Sequence, residues 1–226
     1  MSRHALYEKR PFLLASIACA AAYFYLRDAD IPEMLAVALK GASVGLLAIY
    51  AFVRHSGRDA RLLAWVLGLG ALGDIGIEYD LQIGALLFFA AHIFAITLYL
   101  RHRRDEPSPS QKALAACILI LTPIIAFFLP ADRAGAPQVA LYALALGAMA
   151  ACAWMSDFPR YRVGAGAALF VISDLLIFAE MGPLATSNIP HVFVWPTYYL
   201  GQFLIAIGIV QTLRKRDPEL KLVSSR

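Results

Sequence analysis

Eight apolar runs follow one another along this chain, and they constrain its fold more than any other feature of the sequence. The runs occupy approximately residues 12–26, 34–53, 61–79, 83–101, 112–129, 138–156, 163–181 and 192–213. As helices, nearly all of them are long enough to cross the roughly 30 Å of hydrocarbon in a bilayer. Prolines mark most of the breaks between the runs, which supports the same segmentation. We therefore predict an all-α integral membrane bundle of eight transmembrane helices that forms a single domain, residues 1–226.

Composition supports this class and leaves no room for a soluble domain. Hydrophobic residues make up 60% of the chain and charged residues only 16%, against about a quarter in soluble proteins. The first run, which follows a short basic leader, resembles a signal peptide, but it continues through Leu26 and we interpret it as the first helix. The three cysteines lie inside apolar runs, where a cysteine behaves as a small hydrophobe, so neither a disulfide framework nor a metal site is predicted.

The basic residues predict an orientation. Seventeen of the 20 lysines and arginines collect on one side of the bundle: Arg3, Lys9, Arg10, Arg54, Arg58, Arg61, Arg101, Arg103, Arg104, Lys112, Arg160, Arg162, Arg214, Lys215, Arg216, Lys221 and Arg226. Only Arg27 and Arg133 fall on the other side, and Lys40 lies inside a span. By the positive-inside rule both termini are cytoplasmic. The net charge of +4 is therefore explained by the basic residues on the cytoplasmic side of the membrane, and we expect no nucleic-acid partner.

Two glycine-rich segments each carry an aspartate where a bilayer is expected. Asp74 follows Gly68, Gly70 and Gly73 in the third run, and Asp174 occupies the echoing position of the seventh. An ionisable side chain at the centre of a membrane helix costs roughly 2.5–3.5 kcal/mol, so a functional role is expected for both. The echo also predicts a duplication of four helices plus four in parallel orientation, with chance similarity between Gly/Ala/Leu-rich helices as the alternative.

Polar groups of five spans fall at one predicted depth. At 1.5 Å per helical residue they lie roughly 7–14 Å from the outer end of their spans; they are Lys40, Asp74, His92, Asp174, Tyr198, Tyr199 and Gln202. Each has a structural alternative. His92 can be a hydrogen-bonded core residue, the tyrosines an interfacial belt, and an Asp–Lys pair a contact that only holds the bundle together. Glu78, Asp80 and Glu180 are interpreted as solvated helix ends, and the glycines as helix-packing positions.

The order and spacing of short motifs resemble the lysoplasmalogenase family of eight-helix membrane enzymes over approximately residues 34–210. The motifs are Lys40 in span two, Gly73-Asp74 in span three, His92 in span four, Ser173-Asp174 in span seven and Thr197-Tyr-Tyr-Leu-Gly-Gln202 in span eight. The chain departs from the pattern at two places. Gly41 follows the lysine where relatives often have a nearby proline, and Ala95 stands where a tyrosine often follows the histidine.

The resemblance implies hydrolysis of the vinyl-ether bond of a lysoplasmalogen to a fatty aldehyde and a glycerophospho-ethanolamine or glycerophosphocholine. Such a bond is cleaved by protonation at carbon, followed by capture of the oxocarbenium ion by water. This chemistry needs an acid and a carboxylate, as in glycoside hydrolysis, but no cofactor. The expected catalytic residues are therefore Asp74 and Asp174. An aspartate that pairs with Lys40 stays ionised while the other holds a proton, and we favour Asp174 as the acid.

The remaining motif residues are expected to bind or orient the substrate: Lys40, His92, Ser173, Tyr198, Tyr199 and Gln202. The partner implied is a lysophospholipid within the membrane, with no obligate protein partner evident. We expect a bacterial inner membrane, and the depth of the polar groups together with the predicted orientation indicates a site that opens toward the outer leaflet. There the loop from Gly182 to His191 is expected to admit the headgroup.

Two other functions fit parts of the sequence. Intramembrane aspartate and lysine residues also serve ion sites and proton relays, so a transporter is the first alternative. A zinc-dependent membrane amidohydrolase is the second; it needs several histidine and aspartate ligands, whereas His92 is the one histidine within a span and no HxxxH or HExxH motif occurs.

Overall fold

The computed structural model describes residues 11–217 and contains eight α-helices within that range. They are α1 Pro11–Leu26, α2 Glu33–Arg54, α3 Arg58–Tyr79, α4 Leu81–Arg101, α5 Pro109–Phe128, α6 Ala136–Met155, α7 Ala165–Glu180 and α8 Ile189–Arg216. A π-helical turn, Arg160–Gly164, leads into α7. Seven of these segments are long and apolar enough to cross a membrane, and α1 has 16 described residues. The all-α class and the eight helices predicted from the sequence are confirmed, and the chain is an integral membrane protein.

The orientation rests in part on residues beyond the described range. Arg3, Lys9, Arg10, Lys221 and Arg226, which were counted for the positive-inside rule, lie outside it together with both termini. The cytoplasmic placement of the termini therefore stays a prediction.

The chain divides into two compact units. The first comprises residues 11–94 and 206–217, and the second comprises residues 95–205. In the first unit α1 packs on α2 and α2 on α3; in the second, α5 packs on α6 and α6 on α7. Both boundaries fall inside helices, α4 and α8.

Local sequence signals explain where several helices begin. Ser108 caps α5 in a capping box, because its hydroxyl accepts the Gln111 backbone N–H at 3.3 Å while the Gln111 side chain accepts the Ser108 N–H at 3.0 Å. Asp80 Oδ1 accepts the N–H groups of Gln82 and Ile83 at 2.7 and 3.1 Å, and so caps the start of α4. Asp80 thus terminates one helix and starts the next.

The last helix begins earlier than the sequence predicted. α8 starts at Ile189, so Pro190 occupies its first turn, where the missing N–H removes no helical bond. The connection after α7 is therefore shorter than the predicted loop from Gly182 to His191. Pro196 lies inside α8 and deprives the helix of one donor. The Thr197 hydroxyl donates to the carbonyl of Phe193 at 2.7 Å within the same turn, as hydroxyls do beside prolines of membrane helices.

Candidate functional site

Lys40 on α2 pairs with Glu78 on α3: the Lys40 Nζ donates to Glu78 Oε1. The Lys40 side chain is 13% exposed and that of Glu78 is 32% exposed. Glu78 is exposed and lies at the helix end, as the sequence indicated, and it also provides the counter-charge of the lysine.

Helix register explains this pairing. A Cβ atom placed on Gly41 would lie 2.6 Å from Ile75 Cγ1, and one on Gly45 would lie 3.7 Å from the Ala71 Cβ. In the antiparallel α2–α3 pair these contacts set Lys40 level with Gly76, midway between Asp74 and Glu78. Side chains tilt toward the N-terminus of their own helix. Lys40 therefore tilts toward the end of α3 and Glu78 tilts back toward Lys40, so the two side chains converge.

Asp74 lies one helical turn from Glu78 on α3 and is buried, with 2% of its surface exposed. It remains electrostatically coupled to Lys40, as does the Tyr23 hydroxyl of α1. The Lys40 Nζ also lies 5.7 Å from the centroid of the Tyr23 ring. Lys40, Asp74 and Glu78 with Tyr23 thus form one cluster from three helices, which we call the lysine cluster.

His92 is buried on α4, with 2% of its surface exposed. A Cβ atom on Gly76 would lie 3.2 Å from the Gly84 Cα, and one on Gly73 would lie 2.9 Å from the Phe88 ring. These contacts set His92 level with residues 68–69 of α3, about one and a half turns deeper than Asp74. The histidine lies below the aspartate in the same unit, and its predicted orienting role stays a prediction.

Asp174 on α7 is held by a residue that the sequence analysis did not select. The hydroxyl of Tyr142 on α6 donates to Asp174 Oδ2 at 2.7 Å, and Asp174 is buried, with 6% exposed. The Tyr142 ring makes an edge contact with Phe178, one turn beyond Asp174, at 5.9 Å between centroids. The predicted start of span six at residue 138 puts Tyr142 about 6 Å deep, just outside the range used to select the other residues. The helix begins at Ala136, which puts Tyr142 about 9 Å deep and within that range.

Ser173 has a structural bond in this unit. Its hydroxyl donates to the carbonyl of Val194 on α8 at 3.0 Å. The Thr197 hydroxyl reaches the same carbonyl at 3.1 Å. Ser173 therefore joins α7 to the turn of α8 that Pro196 interrupts.

The tyrosines of α8 pack in an aromatic group. The Tyr198 ring makes an edge contact with Phe170, with centroids 5.1 Å apart, and Trp195 stacks on Tyr199 at 6.1 Å. The Tyr198 hydroxyl accepts the Gln202 side-chain amide at 3.4 Å. Both Tyr198 and Gln202 are buried.

Gln202 lies deeper than Asp174. A Cβ atom on Gly166 would lie 2.7 Å from the Gly201 carbonyl oxygen, which, with the Ser173–Val194 bond, sets Gln202 level with residue 165. Nine residues separate that level from Asp174, which is roughly 13 Å along the helix. The expectation of one polar layer is therefore wrong for Gln202, because α8 begins earlier than its apolar run indicated.

The described contacts gather the predicted residues into two groups, one in each unit. The first unit holds the lysine cluster and His92; the second holds Asp174, Ser173 and the α8 residues. Within residues 11–217, no group of three or more histidine, cysteine, aspartate or glutamate residues gathers as a metal site would.

Comparison with known proteins identifies relatives. Residues 35–209 match the sequence profile of the YhhN family. The chain is also similar to two curated proteins, each called lysoplasmalogenase, from Mycobacterium bovis and Mycobacterium tuberculosis. Each is 29% identical over 186 residues, which cover 77% of this chain and 70% of the relative. No solved structure matches the chain at a comparable level of significance.

Proposed function

Because this chain belongs to the YhhN family, we propose that it is a membrane hydrolase that cleaves the vinyl-ether bond of lysoplasmalogens. The products are a fatty aldehyde and a glycerophospho-ethanolamine or glycerophosphocholine. The predicted resemblance to lysoplasmalogenases is confirmed by the two mycobacterial relatives. The observation that carries the proposal is the burial of two aspartates, Asp74 and Asp174, on helices that are long and apolar enough to span a membrane.

Asp174 acts as the acid in this proposal. Tyr142 donates to its Oδ2, which leaves Oδ1 to carry the proton that is transferred to the β-carbon of the vinyl ether. The C=C electron pair forms the new C–H bond, and the adjacent carbon becomes an oxocarbenium ion. The bond from Tyr142 fixes the orientation of the carboxyl group, and a general acid has to be positioned within hydrogen-bond reach of the atom that it protonates.

Asp74 acts as the base. The ammonium of Lys40 stabilises its carboxylate form. The carboxylate takes a proton from the water that attacks the oxocarbenium carbon. The resulting hemiacetal then breaks its C–O bond: the leaving glycerol oxygen takes the proton from Asp74, and the hemiacetal hydroxyl gives its proton to Asp174. The aldehyde and the glycerol hydroxyl are released, and both carboxyl groups return to their starting states. This division between two carboxyl groups is that of glycoside hydrolysis.

Substitution of the aspartates tests the mechanism. Asp74→Asn and Asp174→Asn should each lower kcat by about two to four orders of magnitude, the usual contribution of general acid–base catalysis. The measurement is aldehyde release from a purified alkenyl lysophospholipid in detergent, with folding checked by size-exclusion chromatography. Asp30→Asn, on an exposed loop, is the matched control and should keep the wild-type rate. An aspartate whose asparagine variant also keeps that rate is structural.

A transporter is the second candidate, and the lysine cluster favours it, because buried ion pairs also line transport pathways. The same aldehyde assay separates the two functions. Wild-type protein that releases no aldehyde, but moves an ion or solute across liposomes, would reverse the choice. Aldehyde release that survives treatment with a chelator would remove the zinc-dependent amidohydrolase.

We place the enzyme in a bacterial plasma membrane with its site open toward the outer leaflet. The Lys and Arg distribution supports this orientation. Lys40 lies seven residues after the start of α2 and Glu78 next to the last residue of α3, so the lysine cluster belongs to the end opposite the basic connections.

A further inference from the structure

The lysine cluster contains more charge than the proposed chemistry needs. Protonation of the vinyl ether and activation of water require two carboxyl groups, and Asp74 is the one in this cluster. Glu78 adds a second carboxylate one turn further along α3, bound to Lys40, and Tyr23 adds an aromatic face beside the ammonium. The Lys40 side chain is only 13% exposed, and keeping an ammonium away from water is costly unless it is paired, so this lysine requires a reason.

We propose that Lys40, Glu78 and Tyr23 form a binding site for a zwitterionic lipid headgroup, a phosphate followed by an ammonium. The inference rests on the proposed function, because it assigns the headgroup part of the same substrate. Lys40 binds the phosphate, Glu78 binds the ammonium, and the Tyr23 ring covers the cation. In the structure the lysine and the glutamate neutralise each other.

The spacing of the cluster matches the order of groups in the lipid. Asp74 and Glu78 are four residues apart on α3, so they share one face and are separated by about one turn, roughly 6 Å. In a lysoplasmalogen, five covalent bonds connect the vinyl-ether oxygen to the phosphorus, which is a comparable span. A lipid with its ether at Asp74 therefore has its phosphate at the level of Lys40 and Glu78, next to the last residue of α3.

Charge balance gives the site its selectivity. When a zwitterion enters, its phosphate replaces Glu78 as the partner of Lys40, and its ammonium replaces Lys40 as the partner of Glu78. Each protein charge keeps a counter-charge. An anionic headgroup that lacks the ammonium would leave the partly buried Glu78 carboxylate unpaired, which is costly. The site should therefore favour ethanolamine or choline over an unsubstituted phosphate.

Tyr23 contributes the aromatic face. The Lys40 Nζ already lies 5.7 Å from the ring centroid, within the roughly 6 Å over which a cation is attracted by a ring. Aromatic faces recognise quaternary ammonium groups in the same way. A choline ammonium can therefore occupy the position beside this ring when Lys40 binds the phosphate.

The roles of Lys40 and Glu78 can be distinguished by comparing three substrates. The first is an alkenyl lysophosphoethanolamine. The second is the corresponding alkenyl lysophosphatidic acid, which lacks the ammonium, and the third is an alkenylglycerol, which lacks the whole headgroup. Glu78→Gln should raise KM roughly tenfold or more for the ethanolamine substrate and not for the other two, since a bond to a charged group is lost. Lys40→Met should raise KM for both phosphate substrates but not for the alkenylglycerol, while kcat falls for all three substrates because Asp74 loses the ammonium that keeps it ionised. Exposed controls are Lys112→Met and Glu180→Gln, which should match the wild type.

A charge swap separates recognition from structural support. The double variant Lys40→Glu with Glu78→Lys restores an ion pair, so its thermal stability should exceed that of Glu78→Gln. Its KM for the ethanolamine substrate should remain raised, because the charges now face the wrong ends of the zwitterion. If the swap restores both the stability and the KM, the pair is structural and the proposal is overturned.

A binding measurement keeps the inference separate from the proposed function. The probe is a lysophosphoethanolamine with a saturated ether chain, which cannot be protonated at a vinyl carbon, and titration calorimetry in detergent compares it with its lysophosphatidic acid analogue. The wild type should bind the ethanolamine lipid more tightly, and Glu78→Gln should bind the two alike. Equal binding by the wild type would overturn the headgroup site, whether or not the protein releases aldehyde from a vinyl ether.

Discussion

At the scale of single residues, the site depends on side chains that hold the aspartates in a fixed orientation. Tyr142 is the clearest of these, because its hydroxyl bonds one oxygen of Asp174 while its ring packs on Phe178. It is a positioning residue, since it acts through Asp174. The carboxyl is thereby held at a fixed rotation on α7.

Tyr142→Phe should keep the ring packing and remove only the hydroxyl. We expect kcat to fall by about 10–100-fold with KM nearly unchanged, because Asp174 becomes a carboxylate as its proton leaves, and a hydrogen bond to a charged group contributes about 1.5–3 kcal/mol. Steady-state aldehyde release measures both constants, and Tyr161→Phe, whose ring is 81% exposed, is the control. An unchanged kcat, or an equal fall in the control, would show that the hydroxyl does not position the acid.

Sequence reasoning identified both aspartates from the cost of burying a carboxylate in a membrane, which is a property of one residue. The partners required a relation between two helices. That Lys40 bonds Glu78, rather than pairing simply with Asp74, depends on the α2–α3 register and on the opposite tilt of side chains on antiparallel helices. Neither the register nor the relative tilt can be deduced from the spacing of residues along the sequence.

At the scale of helices, glycines set how closely the elements approach. The backbones of α7 and α8 meet at Gly166 and Gly201, where a Cβ on either would lie 2.7 Å from the carbonyl oxygen of the other. Gly68 was assigned to packing from the sequence, but a Cβ there would meet nothing within 4 Å. A glycine-rich segment identifies a membrane helix that can pack closely, but not which of its glycines makes the contact.

Gly166→Ala should therefore destabilise the protein, since the added methyl group meets backbone that cannot move aside independently. We expect a loss of about 1–3 kcal/mol, as for overpacked cores. Gly68→Ala should be neutral or slightly stabilising, because alanine favours the helix. Thermal unfolding in detergent compares the two variants. Equal behaviour would mean that the α7–α8 contact does not determine stability.

At the scale of the whole molecule, each unit contains the same local arrangement. In each, an aspartate on the third or seventh helix lies beside a polar side chain from the helix before it: Lys40 for Asp74 and Tyr142 for Asp174. This is the pattern that a duplication of four helices would leave. The duplication stays a prediction, because the two segments share few identical residues.

Topology can be measured at two connections within the described range. Asn188→Cys, after α7, and Glu106→Cys, after α4, are both at exposed positions. In a background with Cys19, Cys117 and Cys152 replaced, a membrane-impermeant maleimide should label position 188 in intact cells and position 106 only after lysis. The reverse result would place both termini on the outside.

The four-residue spacing of Asp74 and Glu78 makes α3 a molecular ruler. With the headgroup fixed at Glu78, the depth at which Asp74 meets the lipid is set by one helical turn and not by the hydrocarbon tail. Tails of different length would therefore be cleaved at similar rates, whereas one methylene inserted between the phosphate and the ether would carry the bond past the carboxylate. Substrate selectivity would therefore depend on the distance between the headgroup and the ether bond, and not on the length of the hydrocarbon tail.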